Sequence, residues 1–427
     1  MSLEEEVKLL REEVRALREE NKALRKELEE LKRKLKEKNK PDFVKEEIKH
    51  NHKKTGQKNG HMGYTRQIPD KIDEVKELNP NKCPECRGEL SNTQEVRERV
   101  VTDIPEVRVR NTKYLIHRKY CKGCNKIVEP EVEDALPNAR FGLRLMLLVL
   151  ILKLDSRVTS KKIKSILKTI YDLDISDGEV YKILEQLSEA FGDHYNELVK
   201  KIKDALIKHI DETSWRINGK SNWLWLFINK ELALYVVNRK RSSKVPIEVL
   251  GNQEGKIGIT DRLSAYNQLV EETGISQQVC WSHLLRNSKD LAKHHPEAKY
   301  VSKRMKYIYR MAKEKKVSKE ELLNWIDLIK ERAKGFKSIN TKKFVKSVCV
   351  KHREDLFRFV DNPEIEATNN RAERGLRHAV VIRKISNGSR SKKGANITGR
   401  LLSITETVKM NSSNLMDGML NLLQNSK

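Results

Sequence analysis

Four of the six cysteines stand as Cys83-Pro-Glu-Cys86 and Cys121-Lys-Gly-Cys124, with 34 residues between the pairs. Two residues between thiols let one tight turn aim both sulfurs at a single ion, and Gly88 and Gly123 lie at those turns. Four thiolates saturate a tetrahedral ion, so Cys83, Cys86, Cys121 and Cys124 predict a closed, structural zinc site with no position open for catalysis. Between the pairs, residues 100–120 alternate in a strand-like way, Val107 and Val109 against Arg108 and Arg110. A small zinc-ribbon-like β module over residues 76–137 is therefore expected, with the ion contributing about 10 kcal/mol or more to its folding. Six cysteines in 427 residues exclude a disulfide scaffold, and Cys280 and Cys349 stand apart.

Upstream, residues 3–35 hold an unbroken heptad pattern. One seam position is Leu3, Leu10, Leu17, Leu24 and Leu31; the other is Val7, Val14, Asn21, Leu28 and Leu35. Leu at every d position with Val at early a positions predicts a parallel two-stranded coiled coil over residues 1–38, and hence a homodimer. Asn21 is the one polar a residue, which fixes register at some expense of stability. The rod would be roughly 50 Å long. Residues 39–75 then dissolve into Lys, Asn, Gly and His, a basic linker that buries no core.

The charge balance narrows the partner. With 87 Lys+Arg against 61 Asp+Glu, the net charge is +26. That excess points to a polyanion, nucleic acid first and an anionic membrane surface second. The N-terminus is charged within four residues, and the longest apolar run, residues 145–152, spans eight positions between Arg144 and Lys153. Neither a signal peptide nor a membrane span is expected, so a soluble cytoplasmic protein is. Residues 301–400 hold 27 Lys and Arg against 11 Asp and Glu, which is +16 of the +26.

Residues 138–200 are expected to be helical. The run 141–154 has the apolar density of a buried helix, and Ser176 with Glu179 forms a capping box at the head of a later one. The spacing of the helices fits a helix-turn-helix or an ordinary helical hairpin; Lys161, Lys162, Lys164 and Lys168 suit the first, the acids Asp177, Glu179, Glu185 and Glu189 the second. From residue 205 the period changes to that of strands at 206–212, 223–229, 232–238, 256–260 and 277–282, with helices at 242–250 and 263–272. The order predicts an α/β layer with a mixed sheet. Basic helices follow over 284–360, then a further helical segment from 397.

Asp211 and Asp261 close two of the predicted strands. If those strands are parallel neighbours, the carboxylates sit side by side at the carboxyl edge of the sheet, where a hard cation such as Mg²⁺ would relieve their repulsion. Taken alone, an Asp after a strand is more often a helix cap.

At these residues the chain resembles the transposases of insertion-sequence family 66. The motifs are the zipper, the Gly56-Gln57 to Gly60-His61 linker, and the paired cysteines ending in Tyr120-Cys121. Further on they are Asp211-Glu-Thr-Ser-Trp215, Thr260-Asp261 with Tyr266, Cys280-Trp-Ser-His283-Leu-Leu-Arg286, and Asn369-Asn370-x-x-Glu373-Arg374-x-Leu-Arg377. The resemblance covers nearly the whole chain, and its last two motifs are the most specific. It implies a DDE catalytic core on a ribonuclease-H-like fold, with Asp211, Asp261 and Glu373 as catalytic acids. That core would occupy residues 201–290 and 361–395, interrupted by a basic helical insertion at 291–360 and followed by a C-terminal helical segment at 396–427. The implied chemistry is DNA cleavage and strand transfer with Mg²⁺ or Mn²⁺ at the acids. Arg374, Arg377, Arg383 and Lys384 would bind phosphates beside them. Implied partners are transposon-end and target DNA and small accessory transposition proteins, met in the cytoplasm at the nucleoid. Glu366 lies seven residues before Glu373 and would share its face on a continuous helix; the Asn-Asn-x-x-Glu-Arg context favours Glu373. Cys280 and His283 have ligand-like spacing but are expected to make a structural contact behind the site. The competing expectation is a non-catalytic, dimeric, zinc-containing DNA-binding regulator, which leaves the three acids unexplained.

Overall fold

A computed structural model describes residues 68–424 and scattered helical positions between 19 and 31. Of the zipper seam, Asn21, Leu24, Leu28 and Leu31 are helical and exposed; the rest of the seam, its dimer and most of the basic linker lie outside the described residues. The chain divides into two units, Met1–Ile104 and Pro105–Lys427.

Within the first unit, the described residues around Cys83 and Cys86 form a knuckle. Arg87 N donates to Cys83 O at 2.9 Å and Cys83 N to Gly88 O at 3.1 Å. Arg87 takes the left-handed conformation, at φ 59°.

The second unit begins with a short antiparallel hairpin, β1 (Lys119–Cys121) and β2 (Lys126–Val128), turned at Asn125 with φ 54°. The strands expected over 100–118 are not formed. Alternation alone does not make a strand; a partner must take its N–H and C=O groups and a core must cover one face. Val100, Val107, Val109 and Ile116 are exposed, so that alternation had no face to bury.

The body of this unit is a five-stranded sheet in the order β5-β4-β3-β6-β7. The strands are β3 (Ile207–Ile217), β4 (Lys220–Ile228), β5 (Ala233–Asn238), β6 (Ile257–Thr260) and β7 (Ser276–Val279). The first three form an antiparallel meander, and β6 and β7 join in parallel to β3. Asn218-Gly219 makes the first hairpin with both residues at positive φ, 48° and 73°, the geometry of a two-residue type I′ turn.

Both faces of this sheet are covered, and β4 shows why its sequence is nearly all apolar. Leu224, Leu226 and Ile228 enter one core, while Trp225 and Phe227, pointing the other way, enter a second. The first core also takes α1 (Leu143–Leu150), α2 (Ser160–Tyr171), α3 (Asp177–Ala190) and three C-terminal helices. The second takes α4 (Gly192–Asp204), α5 (Lys244–Leu250) and α6 (Ser264–Thr273). The Ser176–Glu179 capping box is present at the head of α3. That helix buries Val180, Ile183 and Leu187 in the shared core, and its Glu185 pairs with Lys393.

Past β7 the chain runs through α7 (Trp281–His294), α8 (Pro296–Lys313), α9 (Lys319–Ala333), α10 (Ile339–Lys346) and the short α11 (Arg358–Asp361). These basic helices hold a third core that reaches the sheet through Ile259 and Val279. The chain then returns as α12 (Asn370–Ser386), α13 (Lys392–Asn411) and α14 (Leu415–Gln424). Helix α12 lies so close to β4 that a Cβ on Gly375 would stand 2.7 Å from Leu226 Cδ2. Among the described residues no helix is long and apolar enough to cross a membrane.

Candidate functional site

Asp211 does not end its strand, as the sequence suggested; β3 runs six residues further to close a hairpin with β4. What ends near Asp211 is the parallel pairing. Ile207, Lys208 and His209 lie opposite Ile257, Gly258 and Ile259, so two residues on, Asp211 falls beside Asp261 just past β6. The long β3 puts Asp211 where the parallel half of the sheet opens, the position at which such sheets bind ligands.

Burial raises the Asp211 carboxyl well above the usual range, and the charges of Glu212, Asp261 and Glu373 push it further. Glu212 N donates to Asp211 Oδ1 at 2.9 Å, and Leu263 N to Asp261 Oδ1 at 2.8 Å. Asp261 thus also serves as the turn cap that a lone aspartate would be.

Glu373 comes from the first turn of α12. Its placement depends on Asn369, a fully buried residue that knits three segments together. Asn369 Nδ2 donates to Ile210 O at 2.9 Å, Oδ1 lies 3.1 Å from His209 Nδ1, and the backbone N–H donates to Cys280 Sγ at 3.1 Å. From there Glu373 N closes the helix on Asn369 O at 3.1 Å. Burial lowers His209 to about 4, so it stands neutral behind the acids.

The other nearby acids are already engaged. Glu366 lies before α12 begins and is gripped by Arg371, through Nε at 2.8 Å and Nη2 at 2.5 Å. The helix is not continuous between Glu366 and Glu373. Glu212 points to the opposite face of β3 from Asp211, as period 2 requires. There Tyr266 OH donates to its Oε2 at 2.6 Å and Arg241 Nε to its Oε1 at 2.8 Å. The sequence had marked Tyr266 and Glu212 only as parts of motifs, and nothing in it announced the roles of His209 and Asn369. The buried Asn369 was visible only as the first letter of Asn-Asn-x-x-Glu-Arg.

Of the four basic residues expected to meet phosphate, Arg374, Arg377 and Lys384 are exposed along one side of α12. Arg383 is turned inward: its Nη1 donates to the Ser214 carbonyl and hydroxyl, and lies 3.3 Å from Thr213 Oγ1. A guanidinium tied to the sheet in this way contributes to the docking of α12.

Cys280 and His283 lie next to the acids. Cys280, His283 and Glu373 each offer one ligand atom within 4.8 Å of the others. The paired cysteines fall in the two separate units, Cys83 and Cys86 in the first, Cys121 and Cys124 in the second. In each pair the leading thiol is lowered by backbone N–H groups of its own turn, Cys86 for Cys83 and Cys124 for Cys121. Those turns favour thiolates, the form that binds zinc.

Comparison with known families gives two matches. The model for the transposase IS66 family matches residues 138–397, more than half of the chain. The model for the zinc-finger binding domain of transposase IS66 matches residues 80–125, which include all four paired cysteines. No curated protein matches the chain.

Proposed function

The chain belongs to the IS66 transposase family, and we propose that it cleaves and joins DNA at transposon ends through Asp211, Asp261 and Glu373 on a ribonuclease-H-like core. What supports this reading is Asp211 on β3 lying beside Asp261 just past β6 where the parallel pairing ends, with the charge of Glu373 from α12 felt at Asp211, while Glu212 and Glu366 are engaged elsewhere.

The donor set fits a hard divalent cation. All three groups offer oxygen, and their charges repel one another. Mg²⁺ or Mn²⁺ held by these residues would polarise the scissile phosphate and make the attacking oxygen a stronger nucleophile. The chain itself supplies position. Asp211 and Asp261 are fixed by the sheet, and Asn369 sets the angle at which Glu373 enters. Arg374, Arg377 and Lys384 hold the DNA backbone beside them. In cleavage, water attacks phosphorus and the 3′-oxygen leaves as a hydroxyl. In joining, that 3′-hydroxyl attacks a target phosphodiester and displaces the target's own 3′-oxygen. One phosphodiester breaks for each one formed, so joining needs no nucleotide cofactor. The finger domain, residues 80–125, carries structural zinc, and on this reading the zipper residues 1–38 pair two copies.

Asp211→Asn tests the assignment, since it keeps the shape of the side chain and removes its charge. The variant should bind transposon-end DNA as the wild type does and lose Mg²⁺- or Mn²⁺-dependent cleavage by more than about 10³-fold. A variant that still cleaves removes Asp211 from the chemistry. A wild type that binds ends but cleaves with neither metal favours the regulator reading.

A further inference from the structure

The acid expected to complete the catalytic set is also one of three donors of a different chemical kind. Cys280 precedes the first turn of α7, and His283 follows three residues later on that turn. Glu373 reaches them from α12, with its Oε1 3.6 Å from His283 Nε2. Two donor atoms here lack ordinary partners: Glu373 Oε1 and His283 Nδ1 are both buried without a hydrogen bond among the described residues. Buried polar atoms of that kind are uncommon and call for a reason. We propose that Cys280, His283 and Glu373 form a binding site for a thiophilic divalent ion, Zn²⁺ foremost, whose occupation withdraws Glu373 from the two aspartates and inhibits cleavage.

The geometry needs little adjustment. Donors around a tetrahedral zinc with ordinary bond lengths stand roughly 3.3–3.6 Å apart, and these three lie within 4.8 Å of one another. A thiolate and an imidazole select zinc over magnesium, which prefers oxygen alone. The side chains of His283 and Glu373 are 25% and 31% exposed, so an ion arriving from solvent reaches them. The Asn369 N–H already points at Cys280 Sγ and would support the thiolate formed when the ion displaces the thiol proton to water. Three protein ligands leave a fourth position for water. The site is distinct from the paired cysteines at 83–86 and 121–124, none of which takes part.

The inhibitory consequence rests on Glu373 being the third catalytic acid; the binding of metal does not. The test uses the full chain, purified with its finger domain loaded, and Co²⁺ as the probe. Wild type should take up one further equivalent and show the visible absorption of thiolate-bound tetrahedral Co²⁺. Cys280→Ser and His283→Gln should each weaken that uptake by at least about 10–100-fold, while Asp211→Asn leaves it unchanged. His283→Gln keeps the test sound if the buried Cys280 variant fails to fold. Added Zn²⁺ should inhibit Mg²⁺-dependent cleavage by wild type at the concentration at which it displaces Co²⁺ from this site. No further Co²⁺ absorption in wild type, or uptake unchanged in a folded His283→Gln protein, overturns the proposal. Co²⁺ uptake in a wild type that never cleaves would leave this site standing and sink the catalytic reading instead.

Discussion

At the scale of single residues, side chains of one chemical type are separated by what surrounds them. Four acids, Asp211, Glu212, Glu366 and Glu373, lie on β3, shortly before α12 or in its first turn, and two of them pair with arginines within hydrogen-bond reach. The sequence preferred Glu373 to Glu366 on motif context alone; the structure adds the break before Asn370 and the grip of Arg371. Lys208 gives an independent check on burial. It is fully buried on β3, donating to Lys203 O at 3.3 Å and to Gln253 Oε1, and burial lowers it to about 7. Its unfolded value is about 10.4. Below pH 7 both states carry the proton, and the buried charge weakens the fold by a constant amount. Between about pH 7 and 10 only the unfolded state holds it, so the fold gains stability as pH rises. Lys208→Met should therefore be more stable than wild type at pH 6.5 in urea unfolding, with the gap narrowing towards pH 10. A gap independent of pH would contradict the burial of a charged amine there.

Elements were legible where period and packing agree. The five strands and both connecting helices were expected close to their observed bounds, because alternation, the Asn218-Gly219 turn and apolar density on β4 all point the same way. Three differences have physical causes. β3 is longer because the hairpin with β4 carries it past the parallel pairing, so its polar end needed no apolar run. β7 stops at Val279 because α7 begins at Trp281, whose indole packs among Tyr309 and Phe357. The alternation over 100–118 found no face to bury. The entry of α12 was invisible in the sequence, since it depends on Asn369 meeting atoms 159, 160 and 89 residues away. Asn369→Ala removes the hydrogen bonds to the Ile210 carbonyl and His209 Nδ1, and should destabilise the fold by roughly 1–3 kcal/mol in urea titration. Cleavage should fall while end binding holds, because Glu373 loses its fixed entry. An Asn369→Ala protein with wild-type stability would show that the knot does not hold α12.

At the scale of the whole molecule the charge divides the work. Residues 301–400 carry +16 of the +26, and they comprise most of the basic helices after β7 together with α12 and the start of α13. The positive charge is thus carried mainly by the segments that flank Glu373 in sequence, the arrangement a DNA-holding surface needs. Affinity for end DNA should fall linearly with the logarithm of salt concentration. Arg374→Gln with Arg377→Gln should reduce the magnitude of that slope by about 2, roughly one for each lost phosphate contact. Arg383→Gln should leave the slope unchanged and lower stability, because its guanidinium is spent on Ser214 and Thr213. An unchanged slope in the double variant would mean that DNA passes elsewhere.

On the proposed function, Asp211, Asp261 and Glu373 act together on DNA. The most direct measurement of that is Mg²⁺-dependent cleavage of transposon-end DNA by wild type, Glu373→Gln and Glu366→Gln under identical conditions. The geometry predicts a loss of more than about 10³-fold for Glu373→Gln with substantial activity kept by Glu366→Gln. The reverse order, or full activity in Glu373→Gln, would contradict it.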